Sequence, residues 1–123
     1  MKKIITTRVH GYIDYIVGIF LILLPWIIGL DPTAPQASVP IVLGVMALVY
    51  SLFTKYELGL IRTIPMSVHL KLDMLSGLVL ALSPWLFGFS KEVFLPHLIA
   101  GLFEVIAALV TSSSSNSSDT IHI

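Results

Sequence analysis

The sequence contains no cysteine, and only 11% of its 123 residues are charged. The missing cysteines exclude disulfide bonds, thiolate metal sites and cysteine nucleophiles. The formal net charge of zero gives no sign of a basic face, so we expect no nucleic-acid partner. Apolar side chains make up 56% of the chain, above the roughly 45–50% usual for soluble domains. This composition excludes a disordered chain and predicts an integral membrane protein.

Four long apolar segments follow one another along the chain. They cover approximately residues 9–30, 39–54, 68–89 and 93–111. Because a helix rises about 1.5 Å per residue, about 20 residues cross the hydrocarbon core of a bilayer. The second segment is short, so its helix is expected to include flanking residues, namely Ala37, Ser38, Lys55 and Tyr56. The segments lack the alternation typical of strands, and they predict an all-α, four-helix membrane bundle.

The first and third segments repeat each other when the chain is shifted by 59 residues. The shift aligns His10 with His69 and Asp14 with Asp73. Further identities fall on small or special residues: Gly18 with Gly77, Pro25 with Pro84, Trp26 with Trp85, and Gly29 with Gly88. A shift of 57 adds two matches between the second and fourth segments, Gly44 with Gly101 and Thr54 with Thr111. The chain is therefore predicted to contain two parallel helical-hairpin repeats, at about residues 9–56 and 68–111.

The basic residues lie mainly on one side of the predicted helices, at Lys2, Lys3, Arg8, Lys55 and Arg62. The positive-inside rule then places both termini in the cytoplasm. We expect the first segment to be a retained helix rather than a signal peptide, because Asp14 interrupts its apolar core. Residues 1–111 would form one membrane domain, followed by a serine-rich, disordered cytoplasmic tail at residues 112–123.

The tripeptide Ser83-Pro84-Trp85, with His69 and Asp73 before it and Gly88 after it, resembles the SPW repeat. In that family of small bacterial-type membrane proteins, the motif lies in the first of two transmembrane helices. The first copy here reads Leu24-Pro25-Trp26 and lacks the serine. The resemblance covers nearly all of residues 9–111. It implies a four-helix integral membrane fold in a bacterial-type inner membrane, and it implies no catalytic residues.

The repeated residues share one face of each odd-numbered helix. At about 100° per residue, a single arc holds His10, Asp14, Gly18, Pro25 and Gly29, and a second arc holds His69, Asp73, Gly77, Pro84 and Gly88. We interpret the glycines as helix-packing contacts. Each proline frees a carbonyl group and is expected to bend its helix, and Ser83 can partly replace the lost donor. Trp26 and Trp85 are expected to anchor the outer interface.

Three acidic residues and the two repeated histidines lie inside the predicted membrane segments. Because an ionised side chain in hydrocarbon costs about 2.5–3.5 kcal/mol, these side chains should face the bundle and pair with one another. The i,i+4 spacing brings His10 near Asp14 and His69 near Asp73. Glu104 falls at a similar depth on the fourth helix. We therefore expect a polar cluster near the cytoplasmic side, made of His10, Asp14, His69, Asp73 and Glu104.

Two functions are open for such a cluster. The favoured hypothesis is a small structural or accessory membrane protein, in which paired charges fix helix register and the lipid bilayer is the main partner. A homo-oligomer is compatible with that hypothesis. The alternative is a proton- or cation-conducting unit that uses the cluster. A divalent metal site and a haem between His10 and His69 are less favoured, so we expect no metal and no cofactor. The sequence carries no catalytic motif, and we expect no enzymatic activity.

Overall fold

A computed structural model describes residues 2–113, which form four α-helices. They are α1 (Thr7–Ile28), α2 (Pro35–Leu52), α3 (Met66–Leu86) and α4 (Leu95–Leu109). Within residues 2–113 there is no strand, only two isolated β-bridges. The prediction of an all-α four-helix bundle is confirmed. Most of the predicted tail, residues 114–123, lies outside the described residues.

Local chemistry explains where the helices begin. The Thr6 hydroxyl accepts a hydrogen bond from the Val9 N–H at 3.2 Å and so caps α1. Both α2 and α4 have a proline in their first turn, where the missing N–H has no helical partner to lose. Pro35 therefore starts α2 two residues before Ala37, the first residue predicted for this helix. Because α2 ends at Leu52, Tyr56 belongs to the following loop and not to the helix as predicted. The fourth helix has 15 residues and is shorter than the predicted 93–111 segment.

Gly29 and Gly88 follow the ends of α1 and α3 in the left-handed backbone region, with φ of 74° and 75°. The Gly29 N–H donates to the Pro25 carbonyl group, which closes the last turn of α1. Apart from atoms of the glycine itself and its two chain neighbours, no atom lies within 4 Å of the position that a Cβ would take on either glycine. The packing role predicted for these two glycines is therefore wrong. They supply a backbone conformation that other residues adopt only with strain.

Close backbone contacts hold each hairpin together. The helix α1 packs against α2, and α3 packs against α4, while α2 and α3 join the two hairpins. A Cβ added to Gly44 would lie 2.7 Å from the Gly18 carbonyl oxygen. At the matching place in the second hairpin, a Cβ added to Gly77 would lie 2.7 Å from the Gly101 carbonyl oxygen. Glycine at these positions lets the helices approach as closely as they do.

The bundle is apolar both inside and outside. Leu21, Leu43 and Leu80 are buried together in the interior. Large apolar side chains cover the exterior, and the side chains of Trp26 and Trp85 are 61% and 52% exposed. By length and composition, α1, α2 and α3 can each cross a membrane, and α4 is a shorter apolar helix. A bundle that is hydrophobic on all sides belongs in lipid, so the chain is a small membrane protein.

Two isolated bridges tie the hairpins to each other at one end of the bundle. Ile5, before α1, pairs in parallel with Thr111, after α4. Ile64, before α3, pairs in parallel with Thr54, after α2. These four residues are related by the same shifts of 59 and 57 as the repeated sequence. Each bridge therefore places a threonine of one hairpin beside the start of the first helix of the other hairpin.

Candidate functional site

The structure brings four of the five predicted cluster residues into contact. One ligand atom from each of His10, Asp14, His69 and Asp73 lies within 4.8 Å of the other three. We call these four residues the His–Asp centre. All four are buried: the histidines are 1% and 0% exposed, and the aspartates are 8% and 6% exposed. The centre lies near the N-terminal ends of α1 and α3, at the end of the bundle that carries the two bridges.

The shortest contacts of the centre run between the hairpins. His10 Nε2 lies 2.6 Å from Asp73 Oδ2 and 3.1 Å from Asp14 Oδ1 on its own helix. His69 Nε2 lies 2.9 Å from Asp14 Oδ2 and 3.1 Å from Asp73 Oδ2. Each aspartate therefore touches both histidines. The i,i+4 contacts that the spacing predicts are present, but they are the longer of each pair.

Two threonines determine which nitrogen of each imidazole carries a proton. The Thr111 hydroxyl donates to the Ala107 carbonyl oxygen at 2.6 Å, so it can only accept from His10 Nδ1, 2.8 Å away. In the same way, the Thr54 hydroxyl donates to the Tyr50 carbonyl oxygen at 2.7 Å. It then accepts from Nδ1 of the other histidine, also at 2.7 Å. Both Nδ1 atoms are therefore donors, and both Nε2 atoms face the carboxylates.

Two tyrosines complete the surroundings of the aspartates. The Tyr50 hydroxyl donates to Asp73 Oδ1 at 2.5 Å, and the Tyr56 hydroxyl donates to Asp14 Oδ2 at 2.8 Å. Tyr56 comes from the loop after α2 and is 2% exposed. Burial, with the negative charge of Asp14 nearby, raises the pKa of the Tyr56 hydroxyl and keeps it a donor. One oxygen of each carboxylate is thus held by a tyrosine.

Sequence reasoning missed the threonines and tyrosines as members of the site. The match of Thr54 with Thr111 at a shift of 57 was a signal for the threonines, although it did not reveal what they contact. Tyr50 has no matching partner, because the equivalent residue in the second hairpin is Ala107. Nothing in the local sequence indicates that Tyr56 folds back into the bundle.

Glu104 lies beside the His–Asp centre but does not join its hydrogen bonds. It lines a small cavity together with His10, Asp14 and Asp73. The cavity volume is about 20 Å³, and such a space holds about one water molecule. Ala47 occupies the matching position in the first hairpin and lines the same cavity. Glu104 therefore makes the two sides of the centre unequal.

The prolines, Ser83 and Trp85 of the predicted motif lie outside the His–Asp centre. Pro25 and Pro84 are buried inside continuous helices. The Ser83 hydroxyl donates to the Leu80 carbonyl oxygen at 2.7 Å, and this is the carbonyl that Pro84 deprives of its helical donor. Trp85 faces outward, with its ring 5.7 Å from that of Phe94.

A third histidine lies apart from the centre. His97 lies in the first turn of α4, and its Nε2 donates to the Gln36 carbonyl oxygen at 2.8 Å. It is 0% exposed and packs beside Phe89, so it is buried in the protein and not exposed to headgroups. This histidine provides a natural control for experiments on the other two.

The charge state of the centre follows from its geometry. An ionised carboxylate can only accept hydrogen bonds. An imidazole that donates a hydrogen bond through Nδ1 has a lone pair at Nε2, unless Nε2 is also protonated. A proton or a cation must therefore lie between each Nε2 atom and the carboxylates that it faces. Two protons, one on each imidazole, would satisfy this condition, and so would one divalent cation. Either choice leaves the four residues neutral overall.

One known family matches the sequence of both hairpins. The family model of the SPW repeat domain matches residues 8–111, which include both hairpins and all four residues of the His–Asp centre. The resemblance inferred from the tripeptide and its spacing is thereby confirmed. No curated protein and no solved structure matches the chain.

Proposed function

Because the chain belongs to the SPW repeat family, we propose that it is a structural or accessory component of a cell membrane. In this proposal the His–Asp centre is a clasp that holds two hairpins in register. The bundle presents an apolar exterior to lipid and to other membrane proteins, and a homo-oligomer is compatible with such a surface. The chain then needs no catalytic group and no bound cofactor.

The observation that carries the proposal is the exchange of partners between hairpins. His10 of the first hairpin contacts Asp73 and Thr111 of the second. His69 of the second hairpin contacts Asp14 and Thr54 of the first. Because lipid tails offer no hydrogen-bond partners, buried hydrogen bonds and ion pairs between helices favour one arrangement of the helices over others. Reciprocal contacts of this kind support the proposal that the centre holds the two hairpins together.

The interior beyond the centre argues against conduction. A proton or cation path needs water or polar groups in sequence across the membrane. Next to the centre the cavity has room for about one water molecule. Further along the bundle, the interior is occupied by Leu21, Leu43 and Leu80. These features favour the structural function over the conducting one.

The distribution of charge supports an orientation with both termini in the cytoplasm, and the family resemblance supports a bacterial-type inner membrane. Lys3 Nζ donates to the Leu109 carbonyl oxygen, so the chain before α1 lies at the same end as the last turn of α4. The Thr7 hydroxyl donates to the Glu57 carboxylate, so the basic loop after α2 lies at that end too. The positive-inside rule assigns this end to the cytoplasm.

Flux measurements test the proposal. The purified chain would be reconstituted into liposomes that contain a pH-sensitive dye, with valinomycin to set the membrane potential. We expect proton flux equal to that of empty liposomes at acidic, neutral and alkaline pH. Flux in the wild type that is lost in a folded Asp14→Asn/Asp73→Asn variant would overturn the proposal and establish the conducting alternative. Light scattering of the same preparation measures the oligomeric state.

A further inference from the structure

We propose that the His–Asp centre binds one divalent transition-metal ion of the zinc class. The ion would be held by Nε2 of both histidines and by one oxygen of each aspartate. This goes beyond the clasp proposed above, because a clasp requires only that the four side chains pair. Two imidazoles and two carboxylates form a mixed nitrogen and oxygen donor set, which suits zinc and its neighbours in the first transition series.

The first argument is the direction of the histidine lone pairs. The two threonines accept from Nδ1, and this hydrogen bond turns both Nε2 atoms toward the same point between α1 and α3. His69 Nε2 is fully buried and has no hydrogen-bond partner, although Asp14 Oδ2 lies 2.9 Å away. A buried nitrogen without a hydrogen bond, aimed at a group of ligand atoms, is suited to bind a metal ion. Metal-bound histidines commonly donate their other ring N–H to an oxygen, as both do here.

The second argument is the way the carboxylates are held. Tyr50 occupies Oδ1 of Asp73, and Tyr56 occupies Oδ2 of Asp14. Each aspartate therefore keeps one oxygen free of tyrosine, Oδ2 in Asp73 and Oδ1 in Asp14. Hydrogen bonds of this kind orient metal-binding carboxylates and tune their affinity. The tyrosines would be positioning residues, since they act on the ion only through the aspartates.

The third argument is the spacing of the donor atoms. In a tetrahedral zinc site with bonds of about 2.0–2.2 Å, neighbouring ligand atoms lie about 3.3–3.6 Å apart. Among the proposed donor atoms, His10 Nε2 lies 2.6 Å from Asp73 Oδ2 and 3.1 Å from Asp14 Oδ1, and His69 Nε2 lies 3.1 Å from Asp73 Oδ2. Outward shifts of a few tenths of an ångström would therefore admit an ion. The neighbouring cavity, with the Glu104 carboxyl group in its wall, offers the space for that relaxation.

The fourth argument is charge. Two neutral imidazoles, two carboxylates and one divalent cation sum to zero, so the loaded site adds no net charge to a region surrounded by lipid. A monovalent cation would leave a net negative charge, which is costly at this depth. The donor set and the charge balance together select a divalent ion over sodium or potassium.

Cobalt is the probe that tests the proposal, because its visible spectrum reports coordination geometry. The full chain in detergent micelles would be treated with a chelator, exchanged into clean buffer and titrated with Co²⁺ and then Zn²⁺. We expect one Co²⁺ per chain, an intense visible absorption typical of tetrahedral cobalt, and its displacement by one equivalent of Zn²⁺. Elemental analysis of the Zn²⁺-loaded protein gives an independent count.

Variants identify the ligands. We expect Asp14→Asn/Asp73→Asn to weaken Zn²⁺ binding by at least 100-fold. The positioning variant Thr54→Val should keep the stoichiometry and weaken binding by about 10–100-fold. The control His97→Asn removes a buried histidine outside the centre and should bind Zn²⁺ as the wild type does. Circular dichroism establishes that each protein is folded.

Several results would overturn the metal proposal. They are a folded wild type that takes up no stoichiometric Co²⁺ or Zn²⁺ at micromolar concentrations, unchanged binding in the folded aspartate variant, or loss of binding in His97→Asn. If the aspartate variant fails to fold, wild-type uptake and Thr54→Val still decide the question. A negative result would leave the clasp intact, because the clasp is tested by stability in metal-free protein.

Discussion

Replacing Asp73 by asparagine removes one negative charge from the His–Asp centre and changes its shape very little. The carboxylate accepts hydrogen bonds from His10 Nε2 and from the Tyr50 hydroxyl, and it contacts His69 Nε2 at 3.1 Å. An asparagine side chain has one carbonyl oxygen and one NH₂ group, so it can accept from only one of the two donors. The other donor then faces an NH₂ group in a buried site.

The size of the effect follows from these contacts. A hydrogen bond to a charged group contributes about 1.5–3 kcal/mol, and one such bond is lost. The histidines also lose half of the negative charge that balances them. Removing one partner of a buried ion pair costs about 3–5 kcal/mol, because the remaining charge is uncompensated. We therefore expect Asp73→Asn to lower the free energy of unfolding of the metal-free protein by about 3–5 kcal/mol.

The assay is reversible unfolding in mixed micelles, with helix content followed by circular dichroism during SDS titration in the presence of a chelator. Glu104→Gln is the matched control, since it removes a carboxyl group from the same cavity without breaking any hydrogen bond of the centre. We expect the control to change the free energy of unfolding by less than about 0.5 kcal/mol. The clasp is refuted if Asp73→Asn is as stable as the wild type, or if both variants lose the same amount.

Three further predictions concern the threonines of the centre, the contact between α3 and α4, and the serine before Pro84. Thr54→Val and Thr111→Val should each cost about 1–3 kcal/mol, because a buried Nδ1–H loses its acceptor; SDS titration should find similar losses, and an effect in only one of them would contradict the matched geometry. Gly101→Ala should cost about 1–3 kcal/mol by forcing α3 and α4 apart, which thermal unfolding followed by circular dichroism would detect as a lower midpoint. Ser83→Ala should cost about 1 kcal/mol, since the Leu80 carbonyl oxygen loses its remaining donor; an unchanged unfolding midpoint would show that the serine does not serve this purpose.

The helices of this protein could be predicted because membrane insertion makes strong demands on local sequence. A segment in lipid must satisfy its own backbone hydrogen bonds, so a long apolar run has little choice but to be helical. The ends of the helices were less predictable. Pro35 starts α2 before the apolar run begins, and the left-handed turns at Gly29 and Gly88 replaced the packing contacts expected there.

Some residues of the site could be predicted from the sequence, and others could not. The repeated histidines and aspartates stand out because ionisable groups in apolar segments are costly and must be paired. Tyr56 does not stand out, because it lies in a polar loop and reaches the centre only when that loop folds under the bundle. Glu104 was expected among the paired groups, but its position on α4 brings it to the cavity wall instead.

The sequence by itself determined the membrane environment, the four apolar helices, the internal repeat and the identity of the four central residues. It did so because hydropathy, residue spacing and repetition are properties of the chain itself. Only the tertiary structure decided which histidine meets which aspartate. An i,i+4 spacing brings together residues of one helix, whereas the contact of His10 with Asp73 depends on how closely α1 and α3 approach. The two bridges between the hairpins, which join residues far apart in the chain, lie at the end of the bundle where this contact is made.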